Sequence, residues 1–367
     1  AQIRVAGKQD AKHVEHFAFK PVRTWVNIGQ RGHHVLFAGR GAFSLGLLRS
    51  RRPMSPSETS PSDPNMPPRA IRGALTALMT PMQGNRVDDG ALRALVERQI
   101  EAGIHGLVPC GTTGESATLT PAEQRHVIKV VVEAANGRVP IVAGAGANST
   151  AHAIELTRVC AGLGVDATLQ VVPYYNKPTQ AGLVAHFTAI AEASSVPVVL
   201  YNVPGRTATD MVTETVATLA AHPQIIAIKE ATGDMSRALE IRTRCPAPFS
   251  LLSGDDYTIL PFMATGGDGV ISVVSNILPA IVARLCEAVW AGDLERAQRL
   301  HVHQFELTKT LFLQSNPIPV KAAAAAMGYC SPDVRLPMQV MDPGCADYKT
   351  LMTALERAGA QLSTSEG

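Results

Sequence analysis

Short apolar runs alternate with longer amphipathic segments from about residue 70 onward. The apolar runs are rich in β-branched residues and are followed closely by turn-forming residues, which is typical of buried strands in a parallel sheet. Eight such strands are predicted, over residues 71–79, 106–109, 139–143, 167–172, 196–201, 225–228, 249–252 and 269–273.

A helix is predicted after each of these strands, and several of the helices have clear start signals. Thr120 is suited to cap a helix that begins at Pro121, and Glu123 completes a capping box with Thr120. Asp88 and Thr209 are expected to begin two further helices. The eight predicted helices cover residues 88–102, 121–135, 150–161, 180–193, 209–220, 234–244, 256–264 and 278–290.

Eight consecutive strand–helix units, spaced at roughly 25–30 residues, predict an α/β fold of the (β/α)₈ TIM-barrel type. A doubly wound sheet usually has fewer units and an early phosphate-binding loop. We therefore expect a catalytic barrel over residues 69–292 and additional helices, packed outside the barrel, over residues 293–367. The run Pro317-Ile318-Pro319 is expected to separate two of these helices.

The first 68 residues form a basic, then Pro/Ser-rich extension. Residues 1–68 contain ten Lys and Arg but four Asp and Glu, and residues 53–68 contain six Pro and four Ser. Such a composition indicates a linker or a disordered segment. The Arg-rich start resembles an organelle transit peptide superficially. A dispensable extension, or upstream sequence before a true start at Met54 or Met66, is the stronger interpretation.

The rest of the chain contains 23 basic and 27 acidic side chains, and this mildly acidic balance argues against nucleic acid as a partner. The six cysteines are widely spaced and form no CxxC pair, which favours reduced thiols and a cytoplasmic location. No apolar run reaches the ~18–20 residues that a bilayer span needs, so no membrane partner is expected.

The sixth predicted strand ends in a lysine, Lys229, after the apolar residues 225–228. Burial disfavours the ammonium form and favours a neutral amine, which can attack a carbonyl carbon. The alternative is a lysine that ends a strand and extends to solvent. Residues 70–367 contain six lysines, and Lys229 alone ends a wholly apolar strand, which favours the nucleophile.

Active sites of such barrels lie at the carboxyl ends of the strands, so the residues after each strand are the candidates for chemistry. Tyr201 is suited to proton transfer and Arg206 to two-pronged binding of a carboxylate, although each can also have a purely structural role. The Asp255-Asp256 pair is expected to cap a helix and not to bind a metal. The strand-end motifs are GTTGES at 111–116, PYYNKP at 173–178, YNVPGRT at 201–207, IKEATG at 228–233 and SGDD at 253–256.

These five motifs, in this order, resemble those of the pyruvate-dependent class I aldolases, and most closely the dihydrodipicolinate synthase family, over about residues 70–360. The resemblance implies a lyase that condenses pyruvate with L-aspartate 4-semialdehyde to give 4-hydroxy-tetrahydrodipicolinate, in lysine and diaminopimelate biosynthesis. It also implies a homotetramer, small-molecule substrates as the other partners, and no metal or diffusible cofactor.

The resemblance further implies the residues that carry the reaction. Lys229 would form the Schiff base with pyruvate, and Tyr201 would shuttle protons. Thr112 and Tyr175 would complete a hydroxyl relay, with Tyr175 donated by a neighbouring subunit. The substrate-binding residues implied in addition are Thr113 for the pyruvate carboxylate, Arg206 for the semialdehyde carboxylate, and Gly254 and Ile271 through backbone groups.

Two alternative functions stay open at this point. Another pyruvate-dependent aldolase or dehydratase, acting on a sugar acid or N-acetylneuraminate, would share the lysine chemistry, but N-acetylneuraminate lyases typically lack an arginine at the position of Arg206. A catalytically silent barrel is the alternative from another class. The intact set of Lys229, Tyr201 and Thr112 argues against it.

One departure from the family pattern predicts a regulatory property. Lysine-inhibited members resemble this chain but have two histidines and a glutamate where Pro121, Gln124 and His152 stand here. Ser116, Ala117, Asn148 and Tyr174 do match the pattern of those members. Because the anionic partner for the ammonium of lysine is missing, we expect weak inhibition by lysine or none.

Overall fold

The computed structural model describes residues 71–362, and the expectation for residues 1–68 lies outside this range. Within it, short strands alternate with helices as the sequence predicts. The strands are β1 Gly73–Ala77, β2 Met82–Gln83, β3 Arg86–Val87, β4 Gly106–Val108, β5 Val142–Gly144, β6 Ala167–Val171, β7 Val198–Asn202, β8 Ile225–Glu230, β9 Ser250–Ser253 and β10 Gly269–Ser272.

The helices of the described range follow the strands and then continue beyond the last one. They are α1 Asp89–Glu101, α2 Pro121–Ala135, α3 Thr150–Gly162, α4 Gln180–Ala193, α5 Pro204–Thr207, α6 Thr213–Ala220, α7 Met235–Arg244, α8 Ile259–Ala264, α9 Pro279–Trp290, α10 Leu294–Thr310, α11 Ile318–Ala326 and α12 Ala346–Arg357. None of these helices combines the length and the apolar character that a membrane span requires.

Eight of the strands form one parallel sheet in the order β4-β1-β10-β9-β8-β7-β6-β5. A parallel bridge between Leu107 and Ile141 joins the two edges of this sheet. The sheet is therefore rolled into a barrel with helices between its strands, and the predicted (β/α)₈ fold is confirmed. The additional C-terminal helices are present as α10, α11 and α12.

Apolar side chains fill the interior of the barrel. Leu75, Val199, Ala227 and Leu252 are completely buried in one cluster there, and Tyr201 lies in the same cluster near the end of β7. Larger clusters fill the layer between the sheet and the surrounding helices. Because the interior is packed, polar chemistry is confined to the end of the barrel, where the strands give way to loops.

Local signals set several helix boundaries where the sequence predicts them. Thr120 and Glu123 form the complete capping box at the start of α2. Asp88 caps α1, and its carboxylate accepts the Ala91 N–H at 2.9 Å. Side-chain acceptors at these positions satisfy N–H groups that have no partner in the first helical turn.

The segment after β7 differs from the expectation that Thr209 begins a helix. The single turn α5 comes first, and α6 begins four residues after Thr209, with Val212 at its cap position. The intervening chain is held as a loop because the Met211 N–H donates to the Asn202 side-chain oxygen at 3.0 Å. The small antiparallel hairpin of β2 and β3 was also not predicted.

Candidate active site

Lys229 and Tyr201 form the centre of the candidate site. They are register partners on the neighbouring parallel strands β8 and β7. Both side chains are 6% exposed, and the Lys229 Nζ lies 4.3 Å from the centre of the Tyr201 ring. The amine is thus buried against an aromatic face at the carboxyl end of the barrel, and it does not extend to solvent.

A buried polar network lies behind this pair. Asn202 and Glu230, the next register partners along the two strands, are joined by a hydrogen bond of 3.1 Å from the Asn202 amide to the Glu230 carboxylate. The Thr232 N–H donates to the other carboxylate oxygen at 2.8 Å. Burial raises the pKa of Glu230, while these hydrogen bonds oppose the increase. The network fixes the strand ends that present Tyr201 and Lys229.

The same network anchors the loop that carries Arg206. The Asn202 amide also donates to Asp210 at 2.9 Å, and Asp210 forms an ion pair with Arg237 of α7 at 2.5 Å. Arg206 itself lies on the single turn α5 and is exposed. Arg206 therefore lies on an exposed turn that follows β7, and the chain after this turn is tied to the barrel through Asp210.

The GTTGES loop lies next to Tyr201. Thr112 and Tyr201 line one cavity of about 40 Å³, together with Gly111, Gly144 and Val171. Thr113 is buried, and its hydroxyl accepts a hydrogen bond of 2.9 Å from the Asn316 amide. Thr112 thus shares a cavity with Tyr201, and the Thr113 hydroxyl is fixed by Asn316.

Gly254 and Ile271 lie at the ends of strands on the other side of Lys229. A Cβ atom at Gly254 would lie 2.5 Å from the Ala231 Cβ and 3.0 Å from the Lys229 Cε. Only glycine therefore leaves room for the lysine side chain at this point. Ile271 is 1% exposed on β10 and belongs to the apolar cluster of the barrel interior.

Tyr175 is the one predicted catalytic residue that stands apart within this chain. Its side chain is 88% exposed, on the loop after β6. Its backbone φ is +74°, a conformation that is uncommon for an aromatic residue and that often marks a functional position. Asn148 and Asn176 brace this loop, since the Asn176 amide donates to the Asn148 carbonyl at 2.8 Å.

The acidic pair after β9 has a structural role, as expected. The Asp255 carboxylate accepts the Tyr257 N–H at 3.1 Å and so caps the turn that follows. Asp256 is buried, and one of its oxygens accepts the N–H groups of Val273 and Val274 at 2.8 and 3.0 Å. Burial raises the pKa of Asp256, which these two hydrogen bonds oppose.

Residues that lie outside the five motifs but contact the GTTGES loop were not predicted from the sequence. The main examples are Asn316 and Lys321. Lys321 is completely buried and forms an ion pair with Glu115 of the GTTGES loop. Burial lowers the pKa of Lys321, and Glu115 opposes the shift. The available signal was a single charged residue in an otherwise apolar, alanine-rich helix.

With polar groups at the carboxyl ends of its strands, the chain has the architecture of a (β/α)₈-barrel enzyme. A model of the dihydrodipicolinate synthetase family matches residues 70–357. The chain therefore belongs to the dihydrodipicolinate synthetase family.

Individual relatives agree with this assignment. The 4-hydroxy-tetrahydrodipicolinate synthase of Geobacter sulfurreducens is 53% identical over 285 residues, which cover 78% of this chain and 97% of that protein. The crystal structure of the chloride-inhibited dihydrodipicolinate synthase from Acinetobacter baumannii, complexed with pyruvate, is 44% identical with a TM-score of 0.78, covering 79% and 100% of the two chains. The lysine-bound enzyme from Cyanidioschyzon merolae is 42% identical with a TM-score of 0.76, covering 78% and 98%.

Proposed function

We propose that this enzyme condenses pyruvate with L-aspartate 4-semialdehyde to give 4-hydroxy-tetrahydrodipicolinate. The observation that carries the proposal is the burial of the Lys229 amine against the Tyr201 ring, at the strand ends of a barrel from this family. Relatives that are about half identical over most of the chain bear the name of this activity. The product belongs to lysine and diaminopimelate biosynthesis.

The chemistry begins with attack of the Lys229 amine on the pyruvate carbonyl. The Tyr201 phenol gives its proton to the departing oxygen, so one water leaves and an iminium and the Tyr201 phenolate result. The iminium accepts the electron pair left behind when a methyl proton departs to the Tyr201 phenolate, and an enamine results. The enamine carbon then bonds to the aldehyde carbon of the semialdehyde, Tyr201 gives the proton it accepted to the new alkoxide, and the iminium forms again. The amine of the semialdehyde attacks the iminium carbon, and the ring closes as Lys229 leaves.

The two substrate carboxylates have separate receptors in this proposal. Thr113, in the loop beside Tyr201, binds the carboxylate of pyruvate. Arg206, on the exposed turn after β7, binds the carboxylate of the semialdehyde through two parallel hydrogen bonds. Gly254 and Ile271 contribute backbone groups near the reacting carbon.

The proton relay consists of Tyr201, Thr112 and Tyr175, with Tyr175 supplied by a second copy of the chain. Its exposed side chain on a strained turn suits such a role. We propose a homotetramer in the cytoplasm as the working form. The reaction needs no metal or diffusible cofactor, because the imine of Lys229 is itself the electron sink.

Borohydride reduction in the presence of pyruvate, followed by peptide mass mapping, tests the covalent step. A pyruvyl adduct is expected on Lys229, and an adduct on any other residue would refute the mechanism. Turnover of aspartate semialdehyde is then compared with turnover of sugar-derived aldehydes. Faster condensation with the sugar-derived aldehydes would assign the enzyme to another branch of the superfamily.

A further inference from the structure

The hydroxyl of Thr113 is held by a residue from the C-terminal region. The Asn316 amide nitrogen lies 2.9 Å from the Thr113 Oγ1 and donates to it. Thr113 is 2% exposed and Asn316 is 4% exposed, so this hydrogen bond is shielded from solvent. The two residues are 203 positions apart in the sequence.

The direction of this hydrogen bond determines what Thr113 can do. A hydroxyl has one hydrogen to donate and lone pairs with which to accept. Because Asn316 occupies a lone pair of Thr113, the Thr113 hydrogen is directed to another acceptor. A carboxylate oxygen of the substrate is such an acceptor, and a hydrogen bond to a charged group is stronger than one to a neutral group.

Asn316 also has an unsatisfied group, which indicates a role other than stability. Its side-chain oxygen is buried and has no hydrogen-bond partner within residues 71–362. An unpaired buried polar atom destabilises a protein and calls for a functional explanation. Orientation of Thr113 is the function that the contacts of Asn316 support.

The loop around Thr113 is fixed by two further contacts from the same region. Lys321 of α11 pairs with the buried carboxylate of Glu115, and the Arg335 N–H donates to that carboxylate at 3.0 Å. Lys321 also donates to the Asp333 carbonyl at 2.7 Å. The loop is therefore held at Glu115, two residues after Thr113, and this gives the Thr113 hydroxyl a defined position for Asn316 to orient.

We propose that Asn316 is a positioning residue that orients the Thr113 hydroxyl as a hydrogen-bond donor to the carboxylate of pyruvate. The inference rests on the proposed function. It assigns to the C-terminal region a part in binding of the first substrate, with no direct contact to the reacting atoms.

The test measures the pyruvate concentration that gives half-maximal borohydride trapping, together with KM and kcat. Asn316→Ala is expected to raise the half-maximal pyruvate concentration and the pyruvate KM about 10-fold or more, with a smaller change in kcat. Asn316→Asp has nearly the same shape but accepts a hydrogen bond, so it captures the Thr113 hydrogen. Asn316→Asp is expected to raise the half-maximal pyruvate concentration at least as much as Asn316→Ala. It also provides the test if Asn316→Ala does not fold.

Two comparisons separate positioning from a general disturbance. In a Thr113→Val background, Asn316→Ala is expected to change the half-maximal concentration by less than about twofold, because the hydroxyl it acts through is gone. Gln314→Ala is the matched control, since Gln314 lies two residues earlier and its amide donates to Asp347, away from the loop. The half-maximal pyruvate concentration of Gln314→Ala should equal that of the unaltered enzyme.

These experiments separate a failure of the proposed function from a failure of the proposed role of Asn316. If the unaltered enzyme forms no pyruvate adduct, the proposed function fails, and with it the role of Asn316. If the adduct forms but Asn316→Ala and Asn316→Asp leave the pyruvate dependence unchanged, the role of Asn316 alone is overturned. The role of Asn316 is also overturned if Asn316→Ala has the same effect in the Thr113→Val background as in the unaltered enzyme.

Discussion

Tyr201 and Lys229 are register partners on adjacent parallel strands, and the Lys229 Nζ lies 4.3 Å from the centre of the Tyr201 ring. The ring packs against the amine, while the phenol oxygen is the group available for proton transfer. These two contributions can be separated by substitution.

Tyr201→Phe keeps the ring and removes the hydroxyl. We expect pyruvate trapping on Lys229 to persist after long incubation, and kcat to fall by roughly 10²–10⁴-fold, the usual contribution of general acid–base catalysis. Steady-state kinetics and adduct mass measure the two effects. A kcat within about twofold of the unaltered enzyme would exclude Tyr201 as the proton carrier.

Gly254→Ala introduces a methyl group into the space that Lys229 occupies. The new Cβ would lie 3.0 Å from the Lys229 Cε and 2.5 Å from the Ala231 Cβ, so either the lysine side chain or the backbone must shift. We expect kcat to fall by about 10-fold or more, since small misplacements of reacting groups are costly. Gly162→Ala is the control, because a Cβ there meets no atom within 4 Å. Equal kinetics for the two variants would count against the role of Gly254.

Arg206→Ala removes the proposed receptor for the second substrate. We expect trapping of pyruvate to be unchanged, while the KM for aspartate semialdehyde rises and its turnover falls by about 100-fold, from the loss of a two-pronged ionic hydrogen bond. Arg158, an exposed arginine on α3, provides the matched control as Arg158→Ala. Parallel loss of pyruvate trapping in Arg206→Ala would show that Arg206 acts on the first substrate.

Free lysine is expected to inhibit the enzyme weakly or not at all. Pro121, Gln124 and His152 line a cavity of about 90 Å³ between α2 and α3. The Gln124 amide is already engaged, because it donates to the Gly144 carbonyl at 2.8 Å. Without an anionic partner at these three positions, we expect a Kd for lysine above about 1 mM. Initial rates measured across a lysine series test this, and strong inhibition at sub-millimolar lysine would disprove it.

His186 is expected to make stability depend on pH. It is buried between α3 and α4, its Nδ1 lies 2.9 Å from the Thr150 Oγ1, and its Nε2 has no partner within the described range. Burial lowers the pKa of His186 from 6.5 to about 4. The unfolded chain therefore binds the proton more readily, so this contribution to stability is complete above pH 6.5 and declines as the pH falls towards 4.

The variant His186→Gln removes this titration. Its Tm is expected to change less between pH 7 and pH 5 than the Tm of the unaltered enzyme. His303→Gln, at an exposed histidine of α10, should keep the full dependence. Thermal denaturation at a series of pH values measures the three slopes. Identical slopes for all three proteins would mean that other groups control the acid range.

The fold and the central pair were accessible from the sequence because both depend on local signals. Apolar runs and cap residues are read from a few neighbouring positions, and the predicted strand positions agree with the structure to within a few residues. Consecutive strands of a barrel lie side by side, so residues at the ends of the fifth and sixth strands must be neighbours. Tyr201 and Lys229 follow from this rule.

The contacts that hold the loop at 111–116 could not be predicted, because they join residues that are far apart in the sequence. Asn316 and Thr113 are 203 residues apart, and Lys321 meets Glu115 across a similar separation, so no local pattern connects them. The loop that contains Thr209 was wrongly predicted as the start of a helix. Its conformation depends on the Asn202 side chain and on the Asp210–Arg237 ion pair, which are tertiary contacts.

The position of Asn316 and Lys321 near the end of the chain has a consequence for the order in which the enzyme matures. A protein is synthesised from its N-terminus, and the earlier parts fold first. All eight barrel strands and Lys229 are synthesised before Asn316 and Lys321. The nascent enzyme thus acquires its amine nucleophile early and the anchors of its loop at 111–116 last, and a fragment that stops after α9 lacks those anchors.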